Sequence, residues 1–351
     1  MNTHISTHRK SIRDHAAAHP ITAFIILAYM ISWVSWFLSL IDLGVVNGFG
    51  IIFSVGPALA AVIMAGLLNP ESTGSASRKR WWLFGVSGIL ALGVMAVRRF
   101  WITPVWLTVA GDVTTTAAYP SLTAILVDIL GAAVVAFLLS GVLSPRQGVR
   151  NLLHSLDPRS RPVRWYWWLI ALGLYPAVMV LGSALSTGFG QPAAAPNATG
   201  LGYLLALDVL LTFLYFLIGG GLEEPGWRGF ALPMLQKRFS PLISSLILAV
   251  IWAFWHLPMV WPQGGPLGML VYLVMEVAPL AILFTVAFNR TGGSLPVVIL
   301  LHTSINATAI FLPLSPLGSI LWLGLILGLA VWMWRSPGTF SLPRVKEPIR
   351  A

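Results

Sequence analysis

Ten stretches of about 20 apolar residues follow one another along this chain of 351 residues. A helix of about 20 apolar residues can cross the hydrocarbon core of a bilayer. Hydrophobic residues make up 57% of the chain and charged residues 9%, which excludes an ordinary water-soluble domain. The sequence therefore predicts an all-α, polytopic transmembrane bundle of about eight to ten spans. The stretches are 21–41, 49–68, 81–97, 121–144, 165–186, 201–222, 240–261, 267–288, 295–313 and 317–334.

The basic residues lie almost entirely on one side of such a bundle. Ten spans would place 19 of the 21 Lys and Arg on the same side as both termini, and only Arg98 and Arg99 on the other. The positive-inside rule then predicts that both termini are cytoplasmic, in the cell (inner or plasma) membrane. This distribution explains the net charge of +10 and gives no sign of a nucleic-acid partner. The chain has no cysteine, so it contains neither disulfides nor thiolate ligands.

Ionisable residues lie within or directly after three of the later apolar stretches. Glu223 and Glu224 directly follow 201–222, and His256 and His302 lie within apolar sequence. A charge near the bilayer centre costs about 2.5–3.5 kcal/mol or more, so these positions indicate a function inside the membrane. Measured along helices from the nearest basic residues, Glu223, His256 and His302 lie roughly 21, 27 and 18 Å deep. The three groups can therefore share one layer, and Pro225 predicts a bend that opens a wet pocket there.

The spacing of Glu224 and Arg228, i and i+4, places them on one helical face. An arginine beside two carboxylates can neutralise one of them and leave the other as a general base. An ion pair that merely closes the helix end is the alternative. His302 and Asn306 have the same spacing and can donate two hydrogen bonds to one oxygen, as an oxyanion hole requires. Helix–helix packing is the alternative for this pair and for His256, which is predicted to lie within an apolar, aromatic helix.

Other polar and aromatic residues carry no such pattern. Asp128, Asp208 and Glu276 lie in predicted spans without a paired motif, so we expect no direct role for them. The Trp and Phe side chains are expected to face lipid or to fill space between helices.

The set of motifs resembles a known family. Glu223-Glu224-x-x-x-Arg228, a membrane His256 and His302-x-x-x-Asn306 are similar to the three-motif signature of the CAAX protease and bacteriocin-processing (CPBP, or Abi) family. That family of intramembrane proteases includes the type II CAAX prenyl endopeptidases. The second motif usually has Phe four residues before its histidine, where this chain has Trp252. The motifs cover about 220–310, and ten spans exceed the eight typical of prenyl endopeptidases.

The resemblance implies a role for each motif residue. Glu223 would activate a water, His256 would hold or polarise that water, and His302 and Asn306 would stabilise the oxyanion. Glu224 and Arg228 would support them. The metal question stays open, because Glu223, His256 and His302 are also a candidate three-ligand zinc site. No His-Glu-x-x-His helix is present, and the asparagine beside His302 favours the metal-free mechanism.

The predicted function is therefore an intramembrane endopeptidase with its site in a cavity within the membrane. Its partners would be the lipid bilayer and a membrane-anchored peptide or protein, either a prenylated CAAX substrate or one with a leader peptide; the oligomeric state is not predicted. A non-enzymatic bacteriocin-immunity or scaffold protein and a proton-coupled transporter are the alternatives. The predicted organisation is a basic tail (1–20), N-terminal transmembrane helices (21–120), a CPBP-like catalytic core (121–313), and the last span with a cytoplasmic tail (314–351).

Overall fold

A computed structural model describes residues 12–40, 48–72, 74–97, 122–190, 202–312 and 315–341. Over these ranges the chain is helical, and the only extended pairing is an isolated antiparallel bridge between Ser72 and Arg146. The predicted all-α class is confirmed.

Thirteen helices are labelled here in chain order. They are α1 (Ile12–Ala18), α2 (Pro20–Leu40), α3 (Gly48–Leu68), α4 (Arg78–Val97), α5 (Leu122–Ser140), α6 (Gln147–Leu153), α7 (Tyr166–Gly188), α8 (Gly202–Ile218), α9 (Pro241–Trp255), α10 (Leu257–Tyr272), α11 (Ala278–Arg290), α12 (Leu295–Phe311) and α13 (Pro316–Arg335).

Seven helical stretches of the described chain are long and apolar enough to cross a membrane. Two of them join several elements: Ala206–Gln236 spans 31 residues and Leu257–Arg290 spans 34. Three shorter apolar helices lie at Ile52–Leu68, Pro241–Trp255 and Leu295–Phe311. Each of the ten predicted stretches overlaps one of these elements, so the polytopic bundle is confirmed. The boundaries of the four predicted regions stay a prediction.

Glycines allow the backbones of some of these helices to approach one another very closely. A Cβ at Gly182 of α7 would overlap the backbone of Gly318 in α13, and a Cβ at Gly226 would overlap the backbone of Pro57 in α3. Small residues at such crossings bring helices into van der Waals contact, which drives helix association in lipid. The second crossing matters for function, because it packs an N-terminal helix against the segment that follows Glu223 and Glu224.

The predicted sixth span stops being a regular α-helix earlier in the sequence than we expected. We expected helix from about 202 to 236 with a bend near Pro225. Instead α8 ends at Ile218, and the turn Gly219–Gly220 precedes a 3₁₀ turn that contains Glu223. Pro225 lies in the first turn of the short helix Glu224–Gly226, where its missing N–H has no intrahelical acceptor in any case.

His256 is likewise not inside a helix, as the sequence predicted. Helix α9 ends at Trp255, and His256 has φ −81° and ψ 1° between α9 and α10. The last carbonyls of a helix lack intrahelical donors, and side chains satisfy them here. The His256 ring hydrogen-bonds the Trp252 carbonyl (2.9 Å), and Trp33 Nε1 of α2 donates to the Trp255 carbonyl (2.9 Å). Tyr29 of α2 also donates to the carbonyl of Ile251.

Candidate active site

Glu223 lies in the 3₁₀ turn after α8 and is 5% exposed. Its Oε2 accepts hydrogen bonds from two indole groups, Trp252 Nε1 at 3.0 Å and Trp227 Nε1 at 3.3 Å. Trp227 is four residues further along the same segment, so its ring lies on the face of Glu223. No hydrogen bond from the described residues reaches Oε1. One oxygen of this carboxylate is therefore held, and the other is available.

Glu224 is fully buried, and two side chains contact its Oε1, whereas its Oε2 has no hydrogen-bond partner among the described residues. Arg228 Nη1 donates to Oε1 at 3.0 Å, and His302 Nδ1 lies 2.7 Å away on α12. The predicted i,i+4 contact is present as an ion pair with no exposed side-chain surface. A purely structural role for this pair stays the alternative. A carboxylate accepts hydrogen bonds only, so ionised Glu224 fixes the proton of His302 on Nδ1.

Arg228 is held between two aromatic rings. Its guanidinium carbon lies 4.5 Å from the Trp252 ring centroid and 4.7 Å from that of Phe284. Such contacts stabilise a desolvated cation by about 2 kcal/mol or more. A turn of π-helix, Trp227–Ala231, carries Arg228 into this position, and turns of this kind are frequent at functional sites.

His256 lies beside the same aromatic cluster, with its ring 4.6 Å from that of Trp255 and 5.3 Å from that of Tyr272. Because a carbonyl oxygen can only accept, His256 Nδ1 donates to the Trp252 carbonyl. Neutral His256 therefore has an acceptor at Nε2. That atom can accept a hydrogen bond from a water or a substrate N–H.

His302 and Asn306 converge on the backbone of Gly220. A Cβ built on Gly220 would overlap Asn306 Nδ2 and would lie 3.1 Å from His302 Nε2. The two nitrogens therefore reach the same small volume above a residue that has no side chain. Asn306 Nδ2 is a donor there in any protonation state, whereas His302 Nε2 becomes a donor when the imidazole is protonated. The predicted pairing of these residues as donors to one oxygen fits this geometry.

The candidate metal ligands do not form a cluster of the required kind. Among the residues that the structure describes, no three His, Cys, Asp or Glu side chains lie close enough together to hold a metal ion. The hydrogen bonds of Glu223, His256 and His302 use Oε2 and the two Nδ1 atoms, so Oε1 and both Nε2 atoms have no hydrogen bond among the described residues. The zinc alternative stays a prediction.

An apolar cavity of about 400 Å³ lies beside the site segment. Leu222 contributes to its wall, directly before Glu223 in sequence. The lining residues are Leu139, Leu156, Pro158, Trp168, Leu217, Ile218, Leu222, Pro296, Ile299 and Leu300. A cavity with such walls accommodates hydrocarbon.

The sequence did not identify the aromatic part of the site. Trp227, Trp252 and Phe284 were expected to face lipid or to pack, yet they contact Glu223 or Arg228 directly. The i,i+4 spacing of Glu223 and Trp227 was the available signal. The contact between Glu223 and Trp252 joins residues 29 positions apart, and spacing along one helix cannot reveal it.

Comparison with known proteins supports the interpretation of the motifs. Residues 204–308, which contain all six motif residues, match the sequence model of the family described as Type II CAAX prenyl endopeptidase Rce1-like. A protein named CAAX prenyl protease 2, from Methanococcus maripaludis, is 26% identical over 141 residues, which are 38% of this chain and 52% of that protein. The chain thus covers about half the length of this relative. The resemblance to type II CAAX prenyl endopeptidases is confirmed over the matched segment.

Proposed function

We propose that this chain, which resembles the type II CAAX prenyl endopeptidases over residues 204–308, is an intramembrane endopeptidase. The observation that carries the proposal is the different state of two neighbouring carboxylates. Glu224 contacts Arg228 and His302 through Oε1, and its Oε2 is fully buried without a hydrogen-bond partner among the described residues. Glu223 is held instead by two neutral indole donors, is 5% exposed, and has no partner on Oε1 among the described residues. An oriented carboxylate with a free oxygen is suited to remove a proton from water.

In the proposed reaction, Glu223 Oε1 takes a proton from a water whose oxygen attacks the carbonyl carbon of the scissile peptide bond. His256 Nε2 accepts a hydrogen bond from the same water and orients it. The carbonyl oxygen becomes an oxyanion, which accepts hydrogen bonds from Asn306 Nδ2 and from Nε2–H of protonated His302. The proton on Glu223 then passes to the leaving amine as the C–N bond breaks, which restores the carboxylate.

Glu224 and Arg228 act through His302 in this scheme. The carboxylate of Glu224 stabilises the imidazolium that donates from Nε2, as a buried acid does for histidine in hydrolytic triads. Arg228 pairs with Glu224 and brings one positive charge to the cluster.

The proposed substrate is a membrane-anchored peptide or protein. The name of the relative points to prenylated C-terminal CAAX sequences, and cleavage of a leader peptide is the alternative for a host that does not prenylate. The apolar cavity beside Leu222 suits the hydrocarbon anchor of such a substrate. The other partner is the bilayer; both termini would be cytoplasmic, and the site would open to that side.

The test is cleavage of a fluorogenic prenylated CAAX peptide, its unprenylated counterpart and a pool of membrane peptides by the purified protein in nanodiscs. Glu223→Gln keeps the shape and one acceptor for the indoles, but it removes the base. We expect the rate to fall about 10²–10⁴-fold. Glu276→Gln is the matched control, because it neutralises another carboxylate within a membrane-spanning stretch and should leave cleavage unchanged. Zinc content and chelator sensitivity are measured on the same samples.

Cleavage that persists in Glu223→Gln would refute the assignment of the base. If the wild-type protein cleaves none of the peptides, the immunity or scaffold and transporter alternatives replace the protease. Loss of cleavage on chelation, together with stoichiometric zinc, would replace the metal-free mechanism with a metal-dependent one.

A further inference from the structure

Two indole N–H groups, from different parts of the chain, donate to the same carboxylate oxygen. Trp227 belongs to the segment that carries Glu223, and Trp252 belongs to the last turn of α9. Both rings are buried, at 0% and 2% exposure, and both reach Oε2. An indole N–H is a donor only, so it interacts favourably with a carboxylate that is ionised. Hydrogen bonds to a charged group are roughly twice as strong as those between neutral groups.

The arrangement also fixes the direction of the carboxylate. With Oε2 held from two sides, the rotation of the carboxylate that carries Oε1 is restricted. Trp252 reinforces this, because its ring faces Arg228 (4.5 Å) and lies edge-on to His302 (5.5 Å between centroids). A catalytic carboxylate that is held within a narrow range of angles spends more of its time in the reactive geometry.

We infer that Trp252 and Trp227 are positioning residues that clamp Oε2 of Glu223 and present Oε1 as the base. The inference rests on the proposed function. It adds two tryptophans, which position the base, to the acidic, histidine and asparagine residues of the motifs. The clamp acts through Glu223 and does not touch the reacting atoms.

The other charged or titratable groups near Glu223 stay in place in the test. Glu224 and Arg228 belong to the same segment as Glu223. The others are His256 in the turn after α9, Tyr272 in α10 and His302 in α12. Trp252→Phe removes one N–H while keeping an aromatic ring against Arg228 and His302. Trp227→Phe removes the other donor from within the segment.

We expect each variant to lower kcat about tenfold to 100-fold with KM little changed. The matched control is Trp322→Phe, a buried tryptophan of α13 whose described ring contact is with Tyr175. It should cleave with the kcat and the KM of wild type. A loss of activity in the clamp variants that follows their thermal stability, or a change that is confined to KM, would overturn the inference.

A second measurement does not depend on cleavage. Infrared spectra of protein with ¹³C-labelled glutamate, recorded at one fixed pH and with Glu223→Gln subtracted, isolate the carboxyl stretching band of Glu223. In Trp252→Phe and Trp227→Phe the frequency of this band should differ from wild type, because one carboxylate oxygen has lost a hydrogen-bond donor. An unmoved band would overturn the clamp alone, whereas a shifted band in a protein that cleaves no peptide would overturn the proposed function alone.

Discussion

Gly220→Ala tests the convergence of His302 and Asn306 most directly. Gly220 has φ −63° and ψ −40°, a right-handed helical conformation that alanine adopts without strain. On backbone grounds alone the substitution should stabilise the fold by about 0.4–1 kcal/mol, since it restricts the unfolded chain. The added Cβ would, however, overlap Asn306 Nδ2 and lie 3.1 Å from His302 Nε2. The methyl group therefore occupies the volume that both donors share.

The magnitude follows from the loss of those donors. Removal of one oxyanion-hole donor lowers kcat about 10²–10³-fold, which corresponds to about 2.7–4 kcal/mol. Because the methyl group displaces at least the Asn306 amide, we expect a loss of at least this size. The substrate anchor does not depend on these donors, so KM should change little.

The assay compares kcat and the thermal midpoint of wild type, Gly220→Ala and Gly219→Ala in nanodiscs. A Cβ at Gly219 would meet only atoms of α8, the closest being the Tyr215 carbonyl oxygen at 3.2 Å. This control therefore adds the same methyl group one residue earlier, away from the site. If Gly220→Ala cleaves at the wild-type rate, or if both variants lose activity equally, the convergence of the two donors on Gly220 has no catalytic role.

Two further predictions concern stability. Arg228→Met should lower the free energy of unfolding by about 3–5 kcal/mol, because it leaves the fully buried Glu224 carboxylate without its permanent cation. Chemical denaturation in detergent measures this, and an unchanged midpoint would contradict it. Gly226→Ala should cost about 1–3 kcal/mol or more, since its Cβ would overlap the backbone of Pro57. Gly229→Ala is the control, because the nearest neighbours of its Cβ are side-chain atoms at 3.3 and 3.4 Å and the nearest backbone atom is 3.9 Å away; an equal loss in both variants would refute the close-packing argument.

Much of the site was predictable because its pairs lie within one helix or one turn. Glu224 with Arg228, and His302 with Asn306, are i,i+4 pairs, and helical geometry brings such residues to one face whatever surrounds them. The same argument applied to Glu223 and Trp227 would have found one indole donor. The position of His256 was not predictable in this way, because the break after Trp255 depends on capping groups from α2 that are more than 200 residues away.

The sequence by itself determined the class of the fold and the ionisable residues that are candidates for the site. Stretches of about 20 apolar residues leave few options other than membrane helices, and charges within them are too costly to keep without a function. Tertiary structure alone decided that Glu224 contacts His302 and that Glu223 accepts a hydrogen bond from Trp252. The contact of Glu224 with His302 crosses 78 residues, and that of Glu223 with Trp252 crosses 29. Such contacts depend on how closely helices approach one another in lipid, as at Gly226 and Pro57. The hydropathy of the sequence does not record this shape complementarity.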